Sequence, residues 1–404
     1  MAVKILHSAD WQIGKAFGDS AELDSDKAAE LRSQRLRTVQ RIAELAAEHE
    51  VDAVIVAGDV FETNSVRDES LRRTVHALSP YRGDWLLLPG NHDAALAESA
   101  WTRLSRLRLP DNIKLLTRAE PVLVADHKLA ILPAPLLRRH EALDTTEPMD
   151  AMVTPPGAVR IGVAHGSVKG RLPERSEALN EIAEDRADRA KLDYLALGDW
   201  HGTLNIAPRT WYAGTPEQDR FKDNEPGNVL LVTIEGPGAQ PAVQRIPVGR
   251  FRWHRLSTTI HQVEDLAALQ AQLEHLGAPY DCYLVNLEVS GAIDLATREA
   301  FDGLVADWRA RLHVLRCNTD KLVAQPSEDD LDRIDSQGFI RTAVRKLRSI
   351  AAGGMDGDDP QGSTAGRPSD EDRERARLAL QILYAEHMRL RGTSGAGTGG
   401  GEGR

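Results

Sequence analysis

Over residues 1–240, short β-branched runs alternate with longer stretches of helical period, the pattern of an α/β domain. Strands are predicted at residues 3–8, 51–57, 85–88, 128–132, 159–164, 194–197 and 229–234, most of them stopping at Gly, Pro, Asp or His. Between the first two, residues 23–50 place Leu36, Val39, Ile42 and Ala46 on one helical face with charged residues between, the signature of a crossover helix. Gly236, Pro237, Gly238 and Pro241 interrupt the pattern, which puts a domain boundary near residue 245. Beyond it a small α+β unit over 246–325 is expected, with strands at 251–256, 281–289 and 313–317 and helices at 262–276 and 294–312. Two amphipathic stretches follow within 336–391. The first carries Ile340, Val344 and Leu347, the second Leu378, Ile382, Ala385 and Met388. A Gly, Asp and Pro rich segment at 351–369 reads as a disordered linker, and the Gly-rich 392–404 as a floppy tail.

A chain of 404 residues exceeds one ordinary core of roughly 150, in keeping with two domains and an appendage. Hydrophobic residues at 41% and charged ones at 27% are globular values, and no apolar run nears the roughly 20 residues of a membrane span. The chain enters a strand pattern at once, without a secretory leader, so a cytoplasmic location is expected. Cys282 and Cys317 are too few for a disulfide framework and are expected to be buried thiols. A net charge of -11 argues against a generally basic nucleic-acid coat, yet is compatible with a local basic groove around an acidic metal pocket.

Chemistry concentrates at the strand ends. Asp10 with Gln12, Asp59, Asn91-His92-Asp93, His165, and Asp199 with His201 each sit at or just past a predicted strand, where open α/β sheets form their ligand crevice. Each alone has a plainer explanation, since Asp after a strand is often a turn or cap residue and a single His is often structural. Oxygen and imidazole donors converging from five strand ends are, however, what two divalent cations about 4 Å apart require, with one carboxylate bridging them.

His7-Ser8-Ala9-Asp10-Trp11-Gln12-Ile13-Gly14, Gly58-Asp59-Val60-Phe61, Gly90-Asn91-His92-Asp93, Ala164-His165-Gly166 and Gly198-Asp199-Trp200-His201 resemble the five motifs of the calcineurin-like metallophosphoesterase superfamily. Trp211-Tyr212-Ala213-Gly214-Thr215-Pro216-Glu217 with Arg220-Phe221 resembles a segment of its SbcD-type DNA repair exonucleases. The resemblance implies a metallophosphoesterase β-sandwich flanked by helices over 1–245, a small α+β DNA-capping domain and a C-terminal helical appendage. It also implies two divalent ions, Mn²⁺ first and Mg²⁺ second. One would be held by Asp10, Gln12, Asp59 and His201, the other by Asp59, Asn91, His165 and Asp199, with His92 as the catalytic histidine at the phosphate or leaving oxygen. Gln12 and Asp199 stand where the family has histidine. An amide oxygen is a weak neutral donor, whereas Asp199 adds charge and favours harder ions.

The implied reaction is phosphodiester hydrolysis in DNA, as an exonuclease and in addition as an endonuclease. No Gly-rich Lys-Ser/Thr phosphate loop is evident, so ATP use would come from an SMC-like ATPase partner of the SbcC type. Self-association into a homodimer is left open. Lys15, Arg67, Lys169 and Arg171 are the candidate DNA contacts, and Trp11 and Trp200 are candidate pocket walls or base-stacking platforms. Ile340, Val344, Leu347, Leu378 and Ile382 are candidates for partner docking, against the plainer alternative that they pack on their own unit. Two other functions remain to be distinguished: a phosphoesterase for small phosphodiesters or phosphoproteins, and a weakly catalytic DNA-tethering protein.

Overall fold

A computed structural model describes residues 2–18, 23–172, 180–325, 339–353 and 368–393, without the side chains of 339, 340 and 384–393. Among the described residues, seventeen strands run in chain order. They are β1 (Val3–Ser8), β2 (Ala53–Val56), β3 (Asp84–Leu87), β4 (Ile113–Leu115), β5 (Val122–Val124), β6 (Leu129–Ala134), β7 (Val159–His165), β8 (Ser167–Val168) and β9 (Glu181–Ile182). After these come β10 (Tyr194–Gly198), β11 (Leu204–Ala207), β12 (Thr210–Tyr212), β13 (Asn228–Ile234), β14 (Ala242–Pro247), β15 (Arg252–Ile260), β16 (Tyr283–Ile293) and β17 (Val314–Ala324). The chain divides into two compact units, Met1–His254 with Cys282–Leu284, and Arg255–Asp281 with Val285–Arg404.

The first unit is a sandwich of two six-stranded sheets, ordered β14-β13-β1-β2-β3-β4 and β11-β12-β10-β7-β6-β5. Strands β1, β2, β3 and β4 run parallel, as do β6, β7, β10 and β12. Alternate residues explain the layering. Ile5, Ala53, Ile55 and Leu86 meet Ile131, Ile161, Val163 and Ala196 between the sheets, while Leu6, Val54, Val56 and Trp85 face outward onto helices. Both faces are therefore covered, which is why these strands read as continuous apolar runs. Helix α1 (Ser25–Glu48) is capped by Asp24, whose carboxylate accepts from Asp26 N at 3.0 Å and Lys27 N at 2.8 Å. Its inner face buries Val39, Ile42 and Ala46 as the period requires, but also Arg35 and Thr38.

The glycine and proline break at 236–241 is a hairpin loop and not a domain linker. The chain turns back as β14, pairs antiparallel with β13 from Asn228↔Pro247 to Thr233↔Ala242, and the first unit continues to His254. The edge strand β14 is largely exposed and carries no apolar run to announce it.

One buried ion pair secures the second sheet's outer layer. Arg186, fully buried, donates to Asp144 Oδ2 at 2.8 Å and Asp150 Oδ1 at 2.7 Å. Burial alone would raise the Asp144 carboxyl. The Thr146 hydroxyl, the Arg186 guanidinium and the Ala183 amide outweigh this and hold it below the usual carboxylate range. Arg186→Ala leaves Asp144 without its cation, while Asp150 keeps Arg189 at 3.3 Å, and is expected to cost about 3 kcal/mol, read by urea unfolding. Because folded Asp144 loses its proton at lower pH than the unfolded chain, its contribution is complete above pH about 4 and lost as pH falls through the depressed value.

The second unit is built on the three-stranded sheet β15-β16-β17. Helices α2 (Leu266–Glu274) and α3 (Leu295–Arg311) bury Leu269 and Leu273, and Phe301, Val305 and Trp308, respectively. Cys282 is buried, whereas Cys317 is only half-buried. The terminal helices (Phe339–Ala351 and Asp370–Thr393) pack on each other and on this unit: Val344, 4% exposed, lies with Leu295 and Leu380, and Leu347 is partly buried beside them. Val344 is thus a core residue here, contrary to its expected place on a docking face, while Leu378 and Ile382 are 55% and 57% exposed. The Ile340 side chain, residues 354–367 of the linker expected over 351–369 and residues 394–404 of the expected tail lie outside the described residues, whereas Ala351 and residues 392–393 are helical. Among the described residues, no helix is long and apolar enough to cross a membrane.

Candidate metal centre

The candidate ligands stand at the carboxyl ends of β1, β2 and β3 in one sheet and β7 and β10 in the other. Their backbone is strained to put them there. Asp10, Gln12, Asp59 and Asp199 have φ of 53°, 46°, 50° and 103°, a region that costs a non-glycine residue on the order of 1–3 kcal/mol. Loop-to-loop bonds hold the first three: Asp10 N donates to Gly58 O at 3.0 Å and Gln12 N to Asp59 O at 2.9 Å. Gly58 (φ +91°) is required as glycine because a Cβ there would overlap the His165 ring, and one at Gly90 would overlap the Asp59 carboxylate.

Asp10, Asp59 and His165, all buried, each present a ligand atom within 4.8 Å of the others. His165 Nε2 lies 3.1 Å from Asn91 Oδ1, 3.5 Å from Asp59 Oδ1 and 3.9 Å from Asp199 Oδ1. Its Nδ1–H donates to Ala57 O at 2.9 Å, since a carbonyl can only accept, which leaves Nε2 to face the carboxylates. Asp199 N donates to Asp10 Oδ1 at 3.1 Å, and Ser167 Oγ donates to Asp199 Oδ2 at 2.9 Å. His201 and Gln12 close the other side, Gln12 Nε2 lying 3.3 Å from both His201 Nε2 and Asp59 Oδ2.

Two buried carboxylates and a part-buried third, Asp199, around one imidazole are electrostatically incomplete without added positive charge. Burial, reinforced by Asp59 and Asp199, pushes Asp10 up to about 6 against the opposing pull of His201 and His165. Asp199 is raised by burial in the same way. For His165 burial works downward, yet Asp59, Asp10 and Asp199 together lift it to about 9. An acidic, oxygen-rich donor set with imidazole and amide oxygen fits a hard divalent cation.

The family model for calcineurin-like phosphoesterases matches residues 3–231. The chain belongs to this family. Among curated proteins it is 25% identical to the DNA double-strand break repair protein Mre11 of Methanosarcina acetivorans over 262 residues, covering 62% of this chain and 39% of that protein. It is 36% identical to the SbcD component of the nuclease SbcCD of Escherichia coli K12 over 104 residues, covering 24% and 23% of the two chains. The uncharacterized metallophosphoesterase YhaO of Bacillus subtilis 168 is 21% identical over 284 residues, covering 67% and 66%. The chain thus spans well under half the length of the first two of these relatives.

Around this phosphoesterase centre the remaining candidates take distinct places. His92 N donates to Asp59 Oδ1 at 2.9 Å, and its Nδ1–H donates to Glu62 O at 3.1 Å. Asp93 is turned away into the core. Its carboxylate accepts from Gly90 N at 2.7 Å and Phe61 N at 3.0 Å, and burial with the Asp59 charge raises it to about 7. Lys15 is drawn into the site, 3.0 Å from both Gln12 Oε1 and Asp219. Arg67 is exposed and lines a cleft with Arg32, Ser33, Thr63 and Ser70. Lys169 and Arg171 are exposed and paired with Glu181 and Glu184. Trp11 is a core residue, its indole donating to Ser8 Oγ at 2.8 Å and packing edge-on against Trp85. Trp200 carries Lys222 Nζ over its ring at 4.1 Å.

Sequence reasoning missed Asp219. It is buried beside His201 at 3.3 Å, and Arg35 reaches it from the inner face of α1. Despite burial, His201, Arg35 and Arg220 hold it well below the usual carboxylate range. Glu217, also buried, accepts from Thr38 Oγ1 at 2.6 Å and Phe251 N at 2.7 Å, so the segment after the fifth motif clamps α1 to the chain's passage toward β15. The polar positions on α1 were the available signal, since a helix burying Arg35 and Thr38 must supply them with partners.

Proposed function

We propose that this phosphoesterase is a divalent-metal-dependent DNA nuclease that hydrolyses phosphodiester bonds at DNA ends. It would act in repair as an exonuclease with endonucleolytic cutting as a second capacity, alongside an SMC-like ATPase. The observation that carries the reading is the buried Asp10, Asp59 and His165 cluster at the meeting of two sheets. Relatives named for double-strand break repair and for the SbcCD nuclease support DNA as the substrate. Asp10, Gln12, Asp59 and His201 would hold one ion, and Asp59, Asn91, His165 and Asp199 the other, with Mn²⁺ favoured and Mg²⁺ an alternative. When bound, such ions supply an activated water and neutralise charge on the phosphoryl oxygens.

The protein's own groups do the rest. With Nδ1–H of His92 committed to Glu62 O, Nε2 is the nitrogen left to face the substrate, and in the imidazolium form it would give its proton to a departing oxygen. Asp93 fixes the Gly90–His92 turn that carries this ring. Arg67, Lys169 and Arg171 would meet backbone phosphates, and Leu378 and Ile382 would form an apolar contact for the ATPase partner.

The test compares three substrate classes at equal metal: labelled linear and hairpin DNA, a small aryl phosphodiester, and a phosphopeptide. Mn²⁺-dependent nucleotide release from DNA, with turnover well above the small ester, is the expected outcome. Turnover of the ester or peptide with intact DNA would replace the nuclease reading by that of a small-substrate phosphoesterase.

A further inference from the structure

The two halves of the centre differ in charge and in what their donor atoms already hold. On the Asn91–His165–Asp199 side the surroundings are anionic, with Asp10, Asp59 and Asp199 clustered about His165. On the Gln12–His201 side three cations crowd in: Lys15, Arg35 and Arg220 converge on Asp219, at 3.0, 3.6 and 3.0 Å, and Lys15 also lies 3.5 Å from Glu62.

Lys15 also decides how Gln12 is turned. An ammonium has three donors and no acceptor, so the Gln12 atom 3.0 Å from Lys15 Nζ is the amide oxygen. The amide NH₂ consequently points inward, at Asp59 Oδ2 and His201 Nε2. Those are two of the lone pairs a cation on this side would need. Arg220 lies against the same ring, its NH2 nitrogen 2.8 Å from His201 Nδ1 and 3.2 Å from Nε2. For Gln12 to offer its oxygen to a cation, the amide must rotate by half a turn, break the Lys15 bond and set its NH₂ against the ammonium.

We propose that the centre is unequal: the Asp59–Asn91–His165–Asp199 side takes a divalent ion tightly, and the Asp10–Gln12–Asp59–His201 side is locked against one by the Lys15–Gln12 bond. The inference rests on the metal-dependent reading above and concerns how many ions the resting protein holds. A donor set with an amide in place of an imidazole and three cations beside it is expected to bind its ion about 10- to 100-fold more weakly than its neighbour.

Equilibrium dialysis of the full chain against Mn²⁺, with bound metal counted by atomic emission, tests this without reference to activity. Wild type is expected to saturate near one Mn²⁺ per chain and to take a second only at about 10- to 100-fold higher concentration. Gln12→His, which restores an imidazole and cannot accept from Lys15 in the same way, should bring the second ion to well within about tenfold of the first. Lys15→Met, which frees the amide to turn, should shift it part of that way. Two ions of equal affinity in wild type, or a second ion unmoved in both variants, would overturn the inference. No bound Mn²⁺ in wild type, or binding unchanged in Asp59→Asn, would instead overturn the metal-centre reading on which it stands.

Discussion

Asp59→Asn is expected to lower metal-dependent DNA cleavage by on the order of 10³-fold or more, equivalent to about 4 kcal/mol of barrier. The Asp59 carboxylate touches three parts of the site. Its Oδ1 accepts from His92 N at 2.9 Å and lies 3.5 Å from His165 Nε2, while Oδ2 accepts from Gln12 Nε2 at 3.3 Å. Asparagine preserves the volume of this nearly fully buried group and removes the charge both proposed ions would share. Single-turnover cleavage at saturating Mn²⁺ gives the rate, and an unchanged thermal midpoint shows that the loss is chemical and not a failure to fold. Residual activity within tenfold of wild type would remove Asp59 from the centre.

His92→Ala is expected to reduce kcat by about 10²- to 10⁴-fold with bound metal unchanged. The argument is geometric. The ring is held by Nδ1–H on Glu62 O, and its backbone amide is tied to Asp59, so the histidine is placed beside the ligands without occupying a ligand position of its own. A proton donor positioned in this way acts on the leaving oxygen and contributes little to metal affinity. Metal content measured alongside cleavage separates the two roles. Loss of bound Mn²⁺ together with activity would make His92 a ligand, and an unaltered kcat would remove it from the chemistry.

The central strands could be read from the sequence because both of their faces are buried. The apolar runs at 3–8, 159–164 and 194–197 lie within one residue of the observed β1, β7 and β10. Short strands left no such mark. The three residues of β4, β5 and β12 are too few to set a period, and their pairing is decided by neighbours distant in sequence. The candidate ligands were legible because strand ends in an α/β sheet converge, and Asp10, Asp59 and His165 do converge. What the pattern could not convey was the layer behind them. Lys15 was expected to meet DNA and Asp219 and Arg35 carried no motif, yet the three form one largely buried cluster behind His201. The hairpin at 236–241 misled for the same reason, since Gly and Pro mark a turn and do not say whether the chain returns to its own sheet.

The most direct test is to strip the purified protein of metal with chelator, then follow end-labelled linear duplex DNA with and without added Mn²⁺, for wild type beside Asp59→Asn. Cleavage that is absent after chelation, returns with Mn²⁺ in wild type and stays absent in Asp59→Asn is the predicted result. Cleavage that persists in chelator, or that Asp59→Asn supports as well as wild type, would contradict a metal centre built on Asp10, Asp59 and His165.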